Sequence, residues 1–196
     1  MDYKDIIETN SLPPHAVIGA PSDGTNIELT LKKPHFIGSP EEQTHDLCLH
    51  GGILFKIGGK VVCDTEDELC VSASALMFLR SLYSGHEKGN GKHMVPCCGH
   101  FMVPADDMQS VEIIGCPNGV DFDIVHRNGH VCIAGHDASY KDYRASVLKL
   151  ARAVKEFYST SPERVFEDEY QKRGNTAFWN EWDSLFVLTT SEEMMI

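Results

Sequence analysis

The chain has 196 residues, 42% of them hydrophobic, so it is long enough to bury a core without disulfides or metal ions as staples. Its 29 acidic and 17 basic side chains give a formal charge of −12, which repels nucleic acids and anionic lipid surfaces. No apolar run is long enough to cross a bilayer. Composition therefore argues against nucleic-acid binding and against membrane insertion.

We expect a single domain over residues 1–196. Residues 1–45 carry five prolines between polar turns, which predicts an irregular Pro-rich region with one half-buried strand, IELTL, at 27–31. Residues 189–196 are expected to fray. The start of the chain lacks the basic and apolar parts of an export signal. The whole chain has 7 cysteines, an odd number. These features predict a cytoplasmic protein with reduced thiols.

Paired glycines divide the next stretch, DLCLHGGILFKIGGKVVCD. A Gly-Gly pair between β-rich runs is a hairpin signal, because the favoured two-residue turns need positive φ. The pairs Gly51-Gly52 and Gly58-Gly59 therefore predict a meander of three strands, at 46–50, 53–57 and 60–63.

The middle of the chain alternates helix and strand signals. Apolar residues at helical spacing predict a buried helix over 73–84, capped by Ser72 or Ser74 and ending near Gly85. The apolar run SVEIIGC then predicts a strand over 110–116.

The segment VDFDIVHRNGHVCIAGH contains Asn128-Gly129, the strongest two-residue hairpin signal. A turn there pairs Arg127 with His130 and, at the far end, Asp121 with His136. Side chains alternate across a strand, so one face should enter the core and the other should stay polar. The predicted core face consists of Val120, Phe122, Ile124, His126, Val131 and Ile133.

Helices are predicted for the rest of the chain. From Ser139 to about Tyr158 apolar residues recur at steps of three and four, and Ser139 with Asp142 resembles a capping box. A turn and a short helix beginning at Pro162 precede a last helix over 175–188. The order of elements predicts an α+β fold: a mainly antiparallel sheet, made of the meander and the Asn-Gly hairpin, with about three helices packed on it.

The segment HMVPCCGHFMVP holds two adjacent cysteines and two histidines in an apolar frame. On a regular strand Cys97 and Cys98 would face opposite sides, so they could not bind one ion together. Cys98 and His100 would share a face, as His130 and Cys132 do in the hairpin. Placed side by side, these strands would offer a tetrahedral zinc ion two sulfurs and two imidazoles. The spacing matches no recognisable zinc module, so we expect no metal or other cofactor.

A thiol nucleophile is another hypothesis for the same segment. A cysteine hydrolase needs a thiol, a histidine base and a carboxylate that orients the base. The candidates are Cys97 or Cys98 as the thiol, with His100, His130, His136, Asp121 and Asp123 as partners. With 10 histidines and 7 cysteines, such combinations arise by chance. We therefore expect a bend in a central strand with one cysteine packed inside.

Carboxylates cluster twice, and an aromatic helix lies near the end of the chain. Together they could form a surface for a basic partner protein: Asp64, Glu66, Asp67, Glu68, Glu167, Asp168, Glu169 and Trp179. Charge and size thus predict a non-enzymatic acidic protein-binding domain, such as an immunity or inhibitor protein that neutralises a basic toxin or enzyme. The alternative is a metal-binding protein or cysteine-dependent hydrolase centred on Cys97, Cys98 and His100, with His130 and Cys132.

Overall fold

The computed structural model describes residues 26–66, 68–99 and 101–191. These residues form three α-helices and eleven strands, and the strands pair antiparallel, so the predicted α+β fold is confirmed. The helices are α1 (Val71–Ser84), α2 (Tyr140–Thr160) and α3 (Glu169–Ser191). The strands are β1 (Ile27–His35), β2 (His50–Ile57), β3 (Lys60–Asp64), β4 (Leu69–Cys70), β5 (Val95–Pro96), β6 (Phe101–Pro104), β7 (Val111–Ile114), β8 (Gly119–Val120), β9 (Ile124–Arg127), β10 (His130–Ile133) and β11 (His136–Ser139).

The largest sheet has the order β1-β2-β3, with β4 paired to the start of β2. The turn predicted at Gly58-Gly59 joins β2 to β3, with φ angles of 56° and 80°. The strand predicted at 27–31 is confirmed and extends to His35. This strand, β1, pairs with β2, which is the role that the sequence predicted for residues 46–50. Of those residues only His50 is in a strand.

The hairpin predicted at Gly51-Gly52 is wrong, because both glycines lie inside β2. A Cβ on Gly51 would lie 2.6 Å from the carbonyl oxygen of Lys32, and one on Gly52 would lie 2.3 Å from that of Thr65. Neighbouring backbone approaches the strand too closely for a side chain at either position. These glycines are needed for close packing and not for a turn.

A second sheet has the order β11-β10-β9. The Asn128-Gly129 turn and the predicted pairing of Arg127 with His130 are confirmed. The predicted partnership of Asp121 with His136 is wrong, since a second turn at Ala134 and Gly135, with φ angles of 49° and 79°, reverses the chain. His136 therefore faces Ile133. On the predicted core face, the buried residues are Phe122, Ile124, Val131 and Ile133.

Helix α1 is the centre of the core, with eight buried hydrophobic side chains along its length. Phe78 packs edge-on against Phe55 of β2, with ring centroids 5.6 Å apart. The helix ends at Gly85 as predicted, but the predicted serine cap is wrong, because Cys70 occupies the N-cap position. The Ser72 hydroxyl instead accepts a hydrogen bond from the Leu49 amide at 3.1 Å.

The two longer helices cover the sheets and α1. Helix α2 begins after Ser139, whose hydroxyl accepts a hydrogen bond from the Asp142 amide as predicted. Helix α3 is longer than the predicted 175–188, and the segment after Pro162 is irregular and not a short helix. The predicted frayed tail is helical as far as Ser191; residues 192–196 lie outside the described residues, as do residues 1–25. In the described part of the chain, no helix combines the length and apolarity needed to cross a membrane.

Candidate metal centre

Two neighbouring chain segments form an antiparallel ribbon whose pairing is interrupted in the middle. Beyond the interruption Phe101 pairs with Ile114, and before it Pro96 pairs with Gly119, so residues 97–99 lie across from residues 115–118. The strand predicted at 110–116 is β7, which ends at Ile114, so Gly115 and Cys116 lie in the interruption. We call the interruption the ribbon gap, and it contains three of the chain's cysteines.

The three thiols of the ribbon gap converge. The sulfurs of Cys97, Cys98 and Cys116 all lie within 4.8 Å of one another, and each residue is half-buried. In a tetrahedral zinc site, with Zn–S bonds of about 2.3 Å, neighbouring sulfurs are about 3.8 Å apart. The cluster therefore needs an inward movement of no more than about 1 Å to hold such an ion.

The sequence argument that Cys97 and Cys98 must face opposite sides is wrong. It assumed one regular strand through both residues, whereas β5 ends at Pro96 and the chain leaves the strand conformation there. The Cys97 amide still donates to the Asn118 carbonyl at 3.1 Å, and the Cys116 amide donates to the Cys98 sulfur at 3.0 Å. These bonds hold both sides of the ribbon gap and direct the three sulfurs to one point.

The three thiols of the ribbon gap interact, and the hydrogen bonds between them shift their pKa values. The pKa of Cys116 is lowered, chiefly because the Cys97 thiol donates a hydrogen bond to its sulfur. The same bond raises the pKa of Cys97 to about 11. Burial raises the pKa of Cys98, partly offset by the bond from the Cys116 amide. A cation at the centre would replace the shared proton, since metal binding to thiols releases protons.

A second group of thiols, the buried pair Cys48 and Cys70, lies next to Gly99 of the ribbon gap. A Cβ on Gly99 would lie 3.0 Å from the Cys70 sulfur and 3.5 Å from the Cys48 sulfur. The Cys48 thiol donates to Cys70, and this bond, with that from Ser72 at the start of α1, lowers the pKa of Cys70 to about 7 despite its burial. Since both cysteines are less than 5% exposed, they belong to the core.

An open cavity of about 670 Å³ borders the ribbon gap. It has an apolar wall, two imidazoles and a carboxylate, and it reaches two of the three converging thiols. The lining residues are His35, Phe36, Ile37, Gly38, Gln43, His50, Glu68, Cys97 and Cys98.

The zinc set proposed from sequence is not brought together. His130 and Cys132 belong to β10, which pairs with β9 and β11, whereas the strands beside the ribbon gap pair with each other. Among the described residues, the group that could hold a metal ion contains Cys98 but neither His130 nor Cys132. His100 lies outside the described residues.

Asp121 and Asp123, which the sequence suggested as catalytic partners, fix a loop by hydrogen bonds. Asp121 accepts hydrogen bonds from the His86 imidazole and the Gly89 amide, each at 2.7 Å, and Asp123 accepts one from the Lys88 amide at 2.7 Å. The pKa of Asp121 is lowered: burial acts to raise it, but the bonds from Gly89 and His86 together outweigh burial. Both carboxylates thus fix the turn that follows α1.

The predicted partner-binding residues are spread over several local interactions. Asp64 and Glu66 pair with Lys32 at 2.9 and 3.3 Å, and Asp67 lies outside the described residues. Glu68 lines the cavity. At the start of α3, Glu167 binds the Gln171 side chain, Asp168 accepts from the Gln171 amide at 2.8 Å, and Glu169 lies 3.9 Å from Lys172.

Trp179 is half-buried at the border of the core, while Trp182 is buried. The Lys155 ammonium lies 4.3 Å from the centroid of a Trp179 ring, and Tyr158 packs edge-on against the indole at 4.9 Å. Much of the indole surface is therefore used inside the molecule.

No protein-family model matches this chain, and neither the curated proteins nor the solved structures contain a significant match to it.

Proposed function

We propose that this protein binds a soft divalent metal ion, with zinc as the favoured ion, through the thiolates of Cys97, Cys98 and Cys116. The observation that carries the proposal is the convergence of the three sulfurs within 4.8 Å, from both sides of the ribbon gap. Thiolates select zinc and other soft ions over magnesium and calcium, which prefer oxygen ligands.

Metal binding would join the two sides of the ribbon where backbone pairing is interrupted. The amide bond to the Cys98 sulfur supports this role, because hydrogen bonds to ligand sulfurs orient and tune a metal site. A reducing compartment such as the cytoplasm is part of the proposal, since the thiols must stay reduced to bind metal.

The test is metal analysis of the purified protein and of two serine variants. We expect about one zinc ion per chain in the wild type, and loss of most of it in Cys116→Ser, because two thiolates alone hold zinc weakly. Cys132→Ser is the matched control, since that cysteine is also half-buried but lies outside the cluster. It should keep its zinc.

A protein that stays reduced, is supplied with zinc during expression, and still contains less than about a tenth of an ion per chain would contradict the proposal. Equal zinc loss in Cys116→Ser and Cys132→Ser would contradict the assignment of the ligands. Circular dichroism of each variant separates lost ligation from lost folding.

The second candidate function is the acidic protein-binding domain, with an immunity or inhibitor protein for a basic toxin as its concrete form. The net charge of −12 and the exposed carboxylates of Glu66, Glu68 and Glu167 favour it. We expect capture of a basic protein at low salt and its release at high salt, because surface charges are screened there. An acidic partner, or capture that does not change with salt, would count against it.

A further inference from the structure

The cavity beside the ribbon gap is lined by a buried imidazole, that of His50. The side chain of His50 is 4% exposed, and its Nδ1 has no hydrogen-bond partner among the described residues. Nearly all buried polar atoms in native proteins are satisfied, so this nitrogen points to a ligand that the cavity would receive. His50 and two cysteines of the cluster line the same space.

The other nitrogen of His50 is held in place. Its Nε2 lies 3.4 Å from a carboxylate oxygen of Asp46. That carboxylate is itself fixed by the amides of Ile37 and Cys48, at 2.8 and 3.0 Å. A carboxylate at Nε2 keeps the hydrogen on that nitrogen, so the neutral ring presents Nδ1 as a proton acceptor.

The described residues provide three thiolate ligands, and tetrahedral zinc binds four. A site with three protein ligands keeps its fourth position for an exogenous molecule. The cavity reaches two of those ligands, so a molecule in the cavity can contact the metal and His50 together.

We infer that the cavity binds a small ligand carrying an acidic thiol or hydroxyl group, which coordinates the metal through its sulfur or oxygen. The S–H or O–H bond breaks, the proton passes to His50 Nδ1, and the electron pair that it leaves behind forms the bond to the metal. Phe36 and Ile37 supply an apolar wall for the remainder of the ligand. This inference rests on the proposed metal site.

The experiment uses the full chain loaded with Co²⁺, whose thiolate charge-transfer absorption counts bound sulfurs, and 2-mercaptoethanol as the probe. We expect a saturable increase of about one third in that absorption, because three sulfur ligands become four. In His50→Gln the probe should bind about tenfold more weakly, since the ligand loses its proton acceptor, with cobalt stoichiometry unchanged.

His130→Gln is the matched control, because that histidine is exposed on β10 and outside the cavity, and it should behave as the wild type. Asp46→Asn is the second variant, which keeps the imidazole and removes its carboxylate partner; it should also weaken probe binding. Circular dichroism checks the folding of each variant.

The possible failures can be told apart. Full cobalt loading with no response to the probe would overturn this inference and leave the metal site standing. A response that is equal in wild type, His50→Gln and Asp46→Asn would overturn the role of His50. Failure to load cobalt would overturn the proposed function itself, and the inference with it.

Discussion

Replacing Glu181 with glutamine is expected to lower the free energy of unfolding by about 3 kcal/mol, because it leaves the charge of Arg80 without its partner. Glu181 in α3 is 3% exposed. Its two oxygens accept hydrogen bonds from Arg80 of α1, both at 2.7 Å, and one also accepts from the Val111 amide at 2.9 Å. One carboxylate therefore joins two helices to the first residue of β7.

Asp183→Asn is the matched control two residues along the same helix. Asp183 pairs with Lys155 at 2.8 Å, but both side chains are largely exposed, so the expected loss is below about 1 kcal/mol. Urea denaturation of the three proteins measures both effects. Similar losses in the two variants would show that the buried carboxylate is no more important than a surface one.

Replacing Gly174 with alanine is expected to cost about 2 to 3 kcal/mol, because α3 meets strand β6 too closely to accept a methyl group. A Cβ at this position would lie 2.2 Å from the carbonyl oxygen of Met102 and 2.9 Å from its Cβ. Helix propensity alone predicts the opposite sign, a gain of about 1 kcal/mol over glycine. The steric term should win, since the blocking atom is backbone and cannot rotate away.

Thr176→Ala is the control, two residues along the same helix at an exposed position. Its hydroxyl bonds only to the Lys172 carbonyl behind it, so alanine should change stability by less than about 0.5 kcal/mol. Thermal unfolding compares the variants. A Gly174→Ala protein as stable as the wild type would show that the helix and the strand separate easily.

The Glu181→Gln and Gly174→Ala variants also test the candidate metal site. Val111 and Met102 belong to the ribbon whose gap holds the three cysteines. If the ribbon must be held against α3 for the sulfurs to converge, each destabilising substitution should weaken metal retention as well as folding. This relation follows because structural metal binding and folding are coupled.

Local signals predicted helices α1 and α2 and the Asn128-Gly129 turn well. The spacing of apolar residues located α1 and α2, and Ser139 marked a helix start, because these patterns depend on residues within a turn of one another. The Asn128-Gly129 turn gave the hairpin register at once, since two residues with positive φ define it.

Distant contacts decided the two glycine pairs. Gly58-Gly59 makes a turn and Gly51-Gly52 does not, although both lie between β-rich runs. The difference comes from the carbonyl oxygens of Lys32 and Thr65, which approach Gly51-Gly52 from elsewhere in the chain. Sequence alone cannot separate glycine needed for positive φ from glycine needed for close approach.

The candidate metal site shows the same contrast between what local sequence predicts and what distant contacts decide. Sequence identified Cys97 and Cys98 as candidates, but Cys116 was placed only at the end of a predicted strand, and His50 and Asp46 were not singled out at all. A usable signal was present: two apolar segments, PCCG and GCPNG at their centres, flank the short loop at 105–110 and could have been aligned as a ribbon. That alignment places the three cysteines in the same gap.

Residue order by itself determined the α+β class, helices α1 and α2 and the Asn-Gly hairpin, because those depend on neighbours in the chain. The tertiary structure alone decided that Cys116 joins Cys97 and Cys98, and that His50 lines the cavity beside them. The physical reason is that strand pairing between distant segments is set by the packing of the whole core, and side chains that carry chemistry are brought together only when that packing is complete.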